Sequence, residues 1–344
     1  MGPPTASQLT VIVPAYNEAA SVAETILSLQ QQSCPPHTII VVDDCSTDDT
    51  GGVARALGVT VIRPAANTGS KAGAQTVALA HVETDLVMAV DADTVLAPDG
   101  IEAILRALHD PHIAAACGTV VPRRVSTLWE RGRYIEYLFA FTFYKQVQDY
   151  YARPAISSGC FSIYRTRVLR QHGGWSQRTM AEDMDLTWTL YAAGEGVRFV
   201  PEAVCYPIEP HDYRFMSKQL RRWSHGFIQN VVLHWQGLLD QRYLREIVAV
   251  GLLDGIVASL SFVLILPLLA IFVHPLMLLG YIIDLPAVAV PVLVKGFERN
   301  EVRRVLASLP AFFVLRLVTG VFLLRAIWAE FVLGQRLLVY EKGH

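Results

Sequence analysis

Asp91 and Asp93, in the run VDADT, follow directly on a wholly apolar stretch, LVMAV. Carboxylates so spaced at a strand end can both turn toward one ligand. They suit a hard divalent cation that also holds diphosphate oxygens. The plain alternative is a solvated acidic turn, which the apolar strand in front of the pair argues against. A second pair, Asp43 and Asp44 in VVDDCSTDDT, also ends an apolar run. A carboxylate there can accept the ring N–H of a pyrimidine, while Ser46 to Thr50 read as helix-capping residues. In VPAYNEA, Pro14 is expected to stop a strand and Asn17 to make a turn. Tyr16 can flank a base and Glu18 can hydrogen-bond it. Lys71, in NTGSKAG, enters a helix where it can meet a diphosphate, an exposed lysine being the equal alternative. The loop before it lacks the GxxxxGKS or GxxxxGKT of a P-loop, and no GxGxxG lies near it. Glu182 and Asp183, in TMAEDMDL, begin a helical stretch. Capping is one reading of them. The other is a general base whose pKa is lifted by a like charge and partial burial. In QLRRW, Arg222 can neutralise a leaving diphosphate, and Trp223 offers a flat face to a sugar ring.

These residues need elements to position them. LTVIVPAYNE reads as a strand with its exit loop, HTIIVVDD as a second strand, VTVIRPAAN as a third and DLVMAVDADT as a fourth. Between and after them SVAETILSLQQQ, GGVARALG, KAGAQTVALAHV and PDGIEAILRALHD read as helices. Ser21 is the expected N-cap of the first helix, with Glu24 three residues later. Strands alternating with helices imply an α/β, doubly wound and mostly parallel sheet. Ligands of such sheets bind at the carboxyl ends of the strands, where every one of these clusters is expected to fall.

The composition adds a second component. Hydrophobic residues make up 52% of the 344 and charged ones 17%, a balance that points to a membrane portion. A net charge of −2 gives no basic field for nucleic acid. The five cysteines include no CxxC pair, which fits a reduced, cytosolic domain better than a disulfide scaffold or a zinc site. The first apolar run, Leu9 to Val13, is too short for a signal peptide, so the N-terminus is expected to be mature and cytosolic. Apolar helices are expected at about 250–273, 276–294 and 305–330, within a membrane region 241–344 that follows a cytosolic domain 1–240. Asp284 interrupts the second of these helices and Arg316 the third, and a buried arginine needs a partner or a wet cavity. The loop holding Lys295, Arg299, Arg303 and Arg304 should be cytosolic, on the same side as the catalytic half. The stretches 128–151 and 213–235 mix aromatic rings with cations and read as interfacial helices, the alternative being ordinary core packing.

VPAYNE, VVDDCS, SKAG, VDADT, SGCFSIYR, AED and QLRRW, in that order, resemble the family 2 glycosyltransferases. The likeness is strongest to the membrane-embedded processive branch that makes cellulose, hyaluronan, chitin oligosaccharides and poly-N-acetylglucosamine. It covers about the first two-thirds of the chain and extends to the C-terminal apolar helices. The resemblance implies a GT-A fold and an inverting transfer from a UDP-sugar to a hydroxyl, giving a β-linkage. Tyr16, Glu18 and Asp44 would bind uridine with Asp43 beside them, in a nucleotide-sugar site that includes Pro14, and Lys71 would touch the diphosphate. Asp91 would line that site, and Asp93 would bind Mg2+ or Mn2+. Ser158 and Gly159 would lie under the acceptor sugar, and Asp183 would deprotonate the acceptor with support from Glu182. Gln219, Arg222 and Trp223 would close over diphosphate and acceptor. The family's usual Thr before the Glu-Asp pair is Ala181 here, and Leu220 stands where Gln or Arg is usual. The synthases also commonly carry helices ahead of the catalytic domain, whereas this chain begins almost at its first strand.

The expected partners are a UDP-sugar, a glycan or lipid acceptor and a bilayer, at a cell membrane crossed several times. The runner-up activity is a single transfer onto a membrane lipid such as polyprenyl phosphate or diacylglycerol. A non-catalytic scaffold is disfavoured by the intact Asp44, Asp91, Asp93, Asp183, Arg222 and Trp223. A transporter is disfavoured by the few ionisable groups in the apolar segments.

Overall fold

The computed structural model describes residues 5–151, 153–236 and 242–337. The expected boundary at 240/241 lies outside the described residues. The chain forms two compact units, Met1–Arg123 with Gln146–Ile208, and Arg124–Lys145 with Glu209–His344.

The first unit is built on strands β1 (Leu9–Ala15), β2 (Thr38–Asp43), β3 (Thr60–Ile62), β4 (Leu86–Val90), β5 (Thr94–Leu96), β6 (Ile113–Val120), β7 (Phe161–Arg165) and β8 (Gly196–Pro207). They form one sheet in the order β3-β2-β1-β4-β7-β6-β8-β5. The four strands read from the sequence make its parallel half. The runs of β1, β2 and β4 are almost wholly buried, as strands covered on both faces must be, whereas β3 at the sheet edge is partly exposed. The other half is mixed: β7 runs antiparallel to β4 and β6, β5 runs antiparallel to β8, and β6 and β8 are parallel. Helices α1 (Val22–Gln30), α2 (Thr50–Ala56), α3 (Lys71–Leu79) and α4 (Gly100–Arg106) follow β1, β2, β3 and β5. After α5 (Leu128–Phe139), which belongs to the second unit, come α6 (Lys145–Tyr150), α7 (Thr166–Gln171) and α8 (Glu182–Ala192).

Two local expectations need correction. Pro14 does not stop β1; the strand runs through it to Ala15, paired with β2 up to Asp43. A proline is tolerated there because the β4 ladder on the other side has already ended at the Ile12–Ala89 pair, so its missing N–H orphans no partner. Ser21 precedes α1 but its side chain does not cap it, because its backbone is helical rather than extended. Its hydroxyl donates instead to Glu18 Oε2 at 2.5 Å, a charged and therefore stronger acceptor.

In the second unit, Thr127 and Glu130 form a capping box at the start of α5. A π-helical stretch, Ala140–Tyr144, follows α5. Helix α9 (Tyr213–Leu233) is capped by Asp212, which accepts a bond from Phe215 N. The apolar remainder comprises α10 (Arg242–Leu260), α11 (Leu266–Phe272), α12 (Leu285–Glu298) and α13 (Val302–Ile327). Tyr134, Ile135 and Leu138 of α5 pack with Val288 and Val292 of α12 and with Val305 and Leu309 of α13. Gly132 permits this approach, since a Cβ there would stand 2.9 Å from Leu315 Cβ and 3.0 Å from Ala311 O.

Three segments, Val248–Phe272, Pro275–Glu298 and Val302–Val332, are long and apolar enough to cross a membrane. Large apolar side chains such as Ile271, Phe272, Ile283 and Phe297 stand exposed on them, a surface that water does not tolerate. Arg316 finds the partner that the sequence demanded. It forms an ion pair with Asp284, at the start of α12, and its guanidinium lies 4.3 Å from the centre of the Phe262 ring.

Candidate active site

The register of the parallel half brings three strand ends to one edge. Ala15 of β1 pairs with Asp43 of β2, and Ile12 with Ala89, so Tyr16, Asp44 and Asp91 leave the sheet along the same rim.

The first two exit loops are laced together. Asn17 adopts a left-handed backbone (φ 55°), which asparagine tolerates, and its carboxamide accepts from Thr47 N at 2.7 Å. Glu18 N donates to Thr50 Oγ1 at 2.7 Å, and Asn17 N to Ser46 Oγ at 2.9 Å. Tyr16 remains 39% exposed and presents its ring at the rim. Asp43 and Asp44 are both buried. Asp43 accepts from Ser46 N at 3.0 Å and from Arg63 at 2.5 Å. Asp44 accepts from Thr68 N and Thr68 Oγ1, each at 2.8 Å. Both carboxylates are thus fixed in orientation, with part of their acceptor capacity used. Gly51 is required beneath Asp43, because a Cβ there would come within 2.5 Å of its carboxylate. Arg63 and Thr68 escaped the sequence reading, since neither carries a spacing that ties it to the acidic pair.

The Asp91–Asp93 turn connects β4 to β5. Thr25 of α1 donates to Ala92 O at 2.9 Å and Thr94 Oγ1 donates to Asp93 at 3.1 Å, so both flanks of the turn are held. Ser70 caps α3 by accepting from Gly73 N at 3.0 Å, which sets Lys71 at the first position of the helix. Lys71 is ion-paired with Asp91, stands 3.8 Å from Glu182 and donates to Gly159 O at 3.0 Å. Burial alone would push this ammonium down. The carboxylates of Asp91, Glu182 and Asp183 outweigh it and hold Lys71 protonated well above the usual lysine range. One turn further along α3, Gln75 is buried with both amide atoms lacking a hydrogen-bond partner. A buried polar group left so is uncommon and points to a partner yet to come. It too was missed, being a plain helical residue in the sequence.

Asp183 sits in the first turn of α8. Its Oδ2 accepts from Gly159 N at 2.9 Å and its Oδ1 from Met184 N at 2.9 Å. Below it, at helical spacing, Thr187 Oγ1 accepts from Ser157 N at 2.9 Å, and the Tyr191 hydroxyl donates to Pro154 O at 2.6 Å. Trp188 adds a bond to Ala155 O at 2.9 Å. One face of α8 therefore holds the segment 154–159 against it, and Ser158 and Gly159 arrive at the carboxylates. A side chain at Gly159 would fit only tightly: a Cβ would stand 3.0 Å from Asp183 Oδ2 and 3.1 Å from Lys71 Nζ.

Three carboxylates around one ammonium leave two negative charges, which one divalent cation would balance. No group of three His, Cys, Asp or Glu side chains able to hold a metal occurs among the described residues. The hard pair Asp91 and Asp93 accordingly fits an ion that takes its remaining ligands from diphosphate and water, the usual arrangement for Mg2+ and chemically open to Mn2+. A cavity of about 520 Å³ bordered by Gln8, His37, His81, Glu83 and Asp85 gathers none of these residues.

Gln219, Arg222 and Trp223 lie on α9, in the second unit. Gln219 Oε1 accepts from Arg133 at 2.5 Å, and the Arg133 guanidinium lies 4.5 Å from the centre of the Trp223 ring.

A parallel half-sheet with acidic turns along its carboxyl rim, and a lysine at a helix start beside them, places the first unit among the α/β folds whose ligands bind at strand ends. Residues 10–173 match the model of Glycosyl transferase family 2. The chain carries a glycosyltransferase family 2 domain of the GT-A type. A poly-beta-1,6-N-acetyl-D-glucosamine synthase of Staphylococcus aureus (strain COL) is 24% identical over 222 residues, 63% of this chain and 54% of that protein. The synthase of the same name from Staphylococcus epidermidis is 25% identical over 223 residues, with the same coverage. This chain thus spans about half the length of the curated relatives it matches. Among solved structures, a mannosyltransferase from Pyrobaculum calidifontis in complex with GDP-Man and Mn2+ superposes with a TM-score of 0.62. It is 18% identical, and the match covers 96% of this chain and 89% of that one, a likeness of fold.

Proposed function

We propose that this protein is an inverting, metal-dependent glycosyltransferase. It moves a sugar from a UDP-sugar to a hydroxyl of a growing glycan and forms a β-linkage. The observation that carries this reading is the meeting of Lys71, Asp91, Glu182 and Asp183 around the bare backbone of Gly159. The relatives named as polysaccharide synthases support a glycan as acceptor.

The base stacks on Tyr16 at the rim and is read by Glu18 and Asp44, with Asp43 behind it. Pro14 carries the chain into that loop. Lys71 meets the diphosphate, releasing Asp91 as it does so. Asp91 and Asp93 would hold Mg2+ or Mn2+, which when bound neutralises charge on the departing diphosphate. Asp183 keeps one oxygen on Gly159 N and takes the acceptor proton as the hydroxyl attacks, with Glu182 beside it. Ser158 and Gly159 lie under the acceptor sugar. Gln219, Arg222 and Trp223 close over the diphosphate and acceptor, Arg222 countering the leaving charge and Trp223 stacking on a sugar ring.

The three apolar segments support a multi-pass protein of the cell membrane. The cation-rich turn from Lys295 to Arg304 then lies in the cytosol with the catalytic domain. Exposed Phe143, Tyr144, Tyr150, Tyr213 and Trp235 support interfacial seating of the stretches that hold them.

The test is nucleotide release by detergent-purified protein, screened over a panel of UDP-sugars with Mg2+ or Mn2+, followed by sizing of the labelled product. A high-molecular-weight, glycosidase-sensitive product is expected. A small, solvent-extractable product would reassign the acceptor to a membrane lipid. Absence of release from any nucleotide-sugar would overturn the reading.

A further inference from the structure

The second unit buries a set of charges of its own. Arg133, on α5, has a fully buried side chain. It donates to Glu136 Oε2 and to Gln219 Oε1, each at 2.5 Å, and its Nε stands 3.4 Å from Glu209 Oε2. Its flat face lies 4.5 Å from the centre of the Trp223 ring. A buried guanidinium is costly unless its edges and faces are answered. Two of the groups that answer it here, Gln219 and Trp223, belong to the α9 motif.

We propose that Arg133 is a positioning residue for transfer: from α5 it fixes the carboxamide of Gln219 and the indole of Trp223, with Glu209 as a second anchor. The inference rests on the transferase reading above. Only a guanidinium can meet an amide oxygen in its plane and an indole on its face at once, so lysine would not replace it.

The charge count supplies the proton. One guanidinium serves two carboxylates. Glu136 is partly exposed and takes a direct bond, whereas Glu209 is buried. Glu209 is faced by Arg133, Glu136 and Tyr137 from α5 and by Gln219 from α9. Burial pushes its carboxyl up to about 7, against the pull of Arg133 and of hydrogen bonds to Tyr137 and Gln219. The seat is neutral while Glu209 is protonated. When Glu209 ionises, an extra negative charge competes with Gln219 and Glu136 for the same guanidinium.

The test uses the full chain in detergent. Arg133→Lys should lower kcat about tenfold or more, as a small misplacement of substrate-positioning groups does. The nucleotide Kd should rise much less than kcat falls, because the expected contacts to the base, Tyr16, Glu18 and Asp44, and Lys71 for the diphosphate, lie in the other unit. Glu209→Gln should keep the activity measured at pH 6 and remove the limb of the kcat–pH profile near 7. A cycle of Arg133→Lys and Trp223→Leu, read by thermal unfolding, should give strongly non-additive shifts. An unchanged kcat in Arg133→Lys would overturn the proposal. So would a parallel loss of nucleotide affinity, an unaltered pH limb in Glu209→Gln, or additive melting shifts. If the wild type releases nucleotide from no nucleotide-sugar, the transferase reading fails by itself, and the melting cycle still decides whether Arg133 seats Trp223.

Discussion

Replacing Gly159 with alanine asks whether the tight contact at that residue carries the reacting geometry. The new methyl would stand 3.0 Å from Asp183 Oδ2, 3.1 Å from Lys71 Nζ and 3.4 Å from Asp183 Cβ. Unstrained contact needs about 3.5 Å, so the carboxylate and the ammonium must each retreat by roughly 0.4 Å. Gly159 is not among the residues with positive φ, so its backbone accepts alanine. The folding cost is therefore one overpacked methyl, about 1 kcal/mol, partly offset by the stiffer unfolded chain. The cost to catalysis is larger. A misplacement of about 1 Å costs on the order of a hundredfold in rate, so a shift of this size predicts a fall of about tenfold in kcat. Single-turnover nucleotide release gives the rate, and thermal unfolding gives the fold. The expected pair is a tenfold slower enzyme whose melting temperature moves by only a few degrees. A variant with wild-type kcat would refute the reasoning, and one that fails to fold would make the glycine a structural requirement instead.

Asp183→Asn should bind donor normally and turn over about 10²–10⁴ times more slowly; normal turnover would remove Asp183 as the base. Chelation with EDTA should abolish transfer and added Mg2+ or Mn2+ should restore it; full activity without metal would sink the assignment of Asp91 and Asp93. Truncating Arg316 or Asp284 alone strands the other charge among apolar helices and should cost about 3–5 kcal/mol, whereas removing both should cost less. Thermal unfolding of the single and double variants checks this, and additive losses would show that the pair does not matter. Glu209 sets a pH slope. Its folded carboxyl lies near 7 against an ordinary 4.5, so the native state holds the proton more tightly than the unfolded chain does. The stability it contributes is fully present below about 4.5 and is lost as the pH rises through about 7, by at most about 3 kcal/mol. Glu209→Gln should flatten that slope in pH-dependent melting, and an unchanged slope would assign it to another group.

The sequence was most legible where one physical constraint dominated. β1, β2 and β4 are short β-branched runs buried on both faces, so their ends, and with them Tyr16, Asp44 and Asp91, could be placed on one rim before any coordinates. β8 was hidden because GVRFVPEAVCYP contains Pro201 and two charged side chains, Arg198 and Glu202, and its place is set by pairing with the distant β5 and β6. Pairings across long separations leave no period to read. Arg63 meets Asp43 from 20 residues away, and Arg133 meets Gln219 from 86. The stretches 128–151 and 213–235 were visible as aromatic and basic runs. Their clustering with the apolar helices depends on Tyr134, Ile135 and Leu138 meeting Val288 and Val305, which no local pattern foretells.

The same geometry bears on whether the domain works or only holds shape. A scaffold gains nothing from three carboxylates converging on one buried lysine, since the surplus charge repels itself at a cost in stability. Nor does it gain from a glycine that leaves little room for a methyl between two charged groups, or from a buried glutamine amide without partners. Drift would relieve each of these with a single substitution, such as Glu182 to a neutral residue or Gln75 to an apolar one. Strain and surplus charge that sit together at a strand-end rim are best explained by a ligand that repays them when it arrives. A cation with a diphosphate, received by Asp91, Asp93 and Lys71, has the charge and the hard oxygen chemistry to do so. In the proposed reading, the neutralised site would leave Asp183, still oriented by Gly159, as the base beside it.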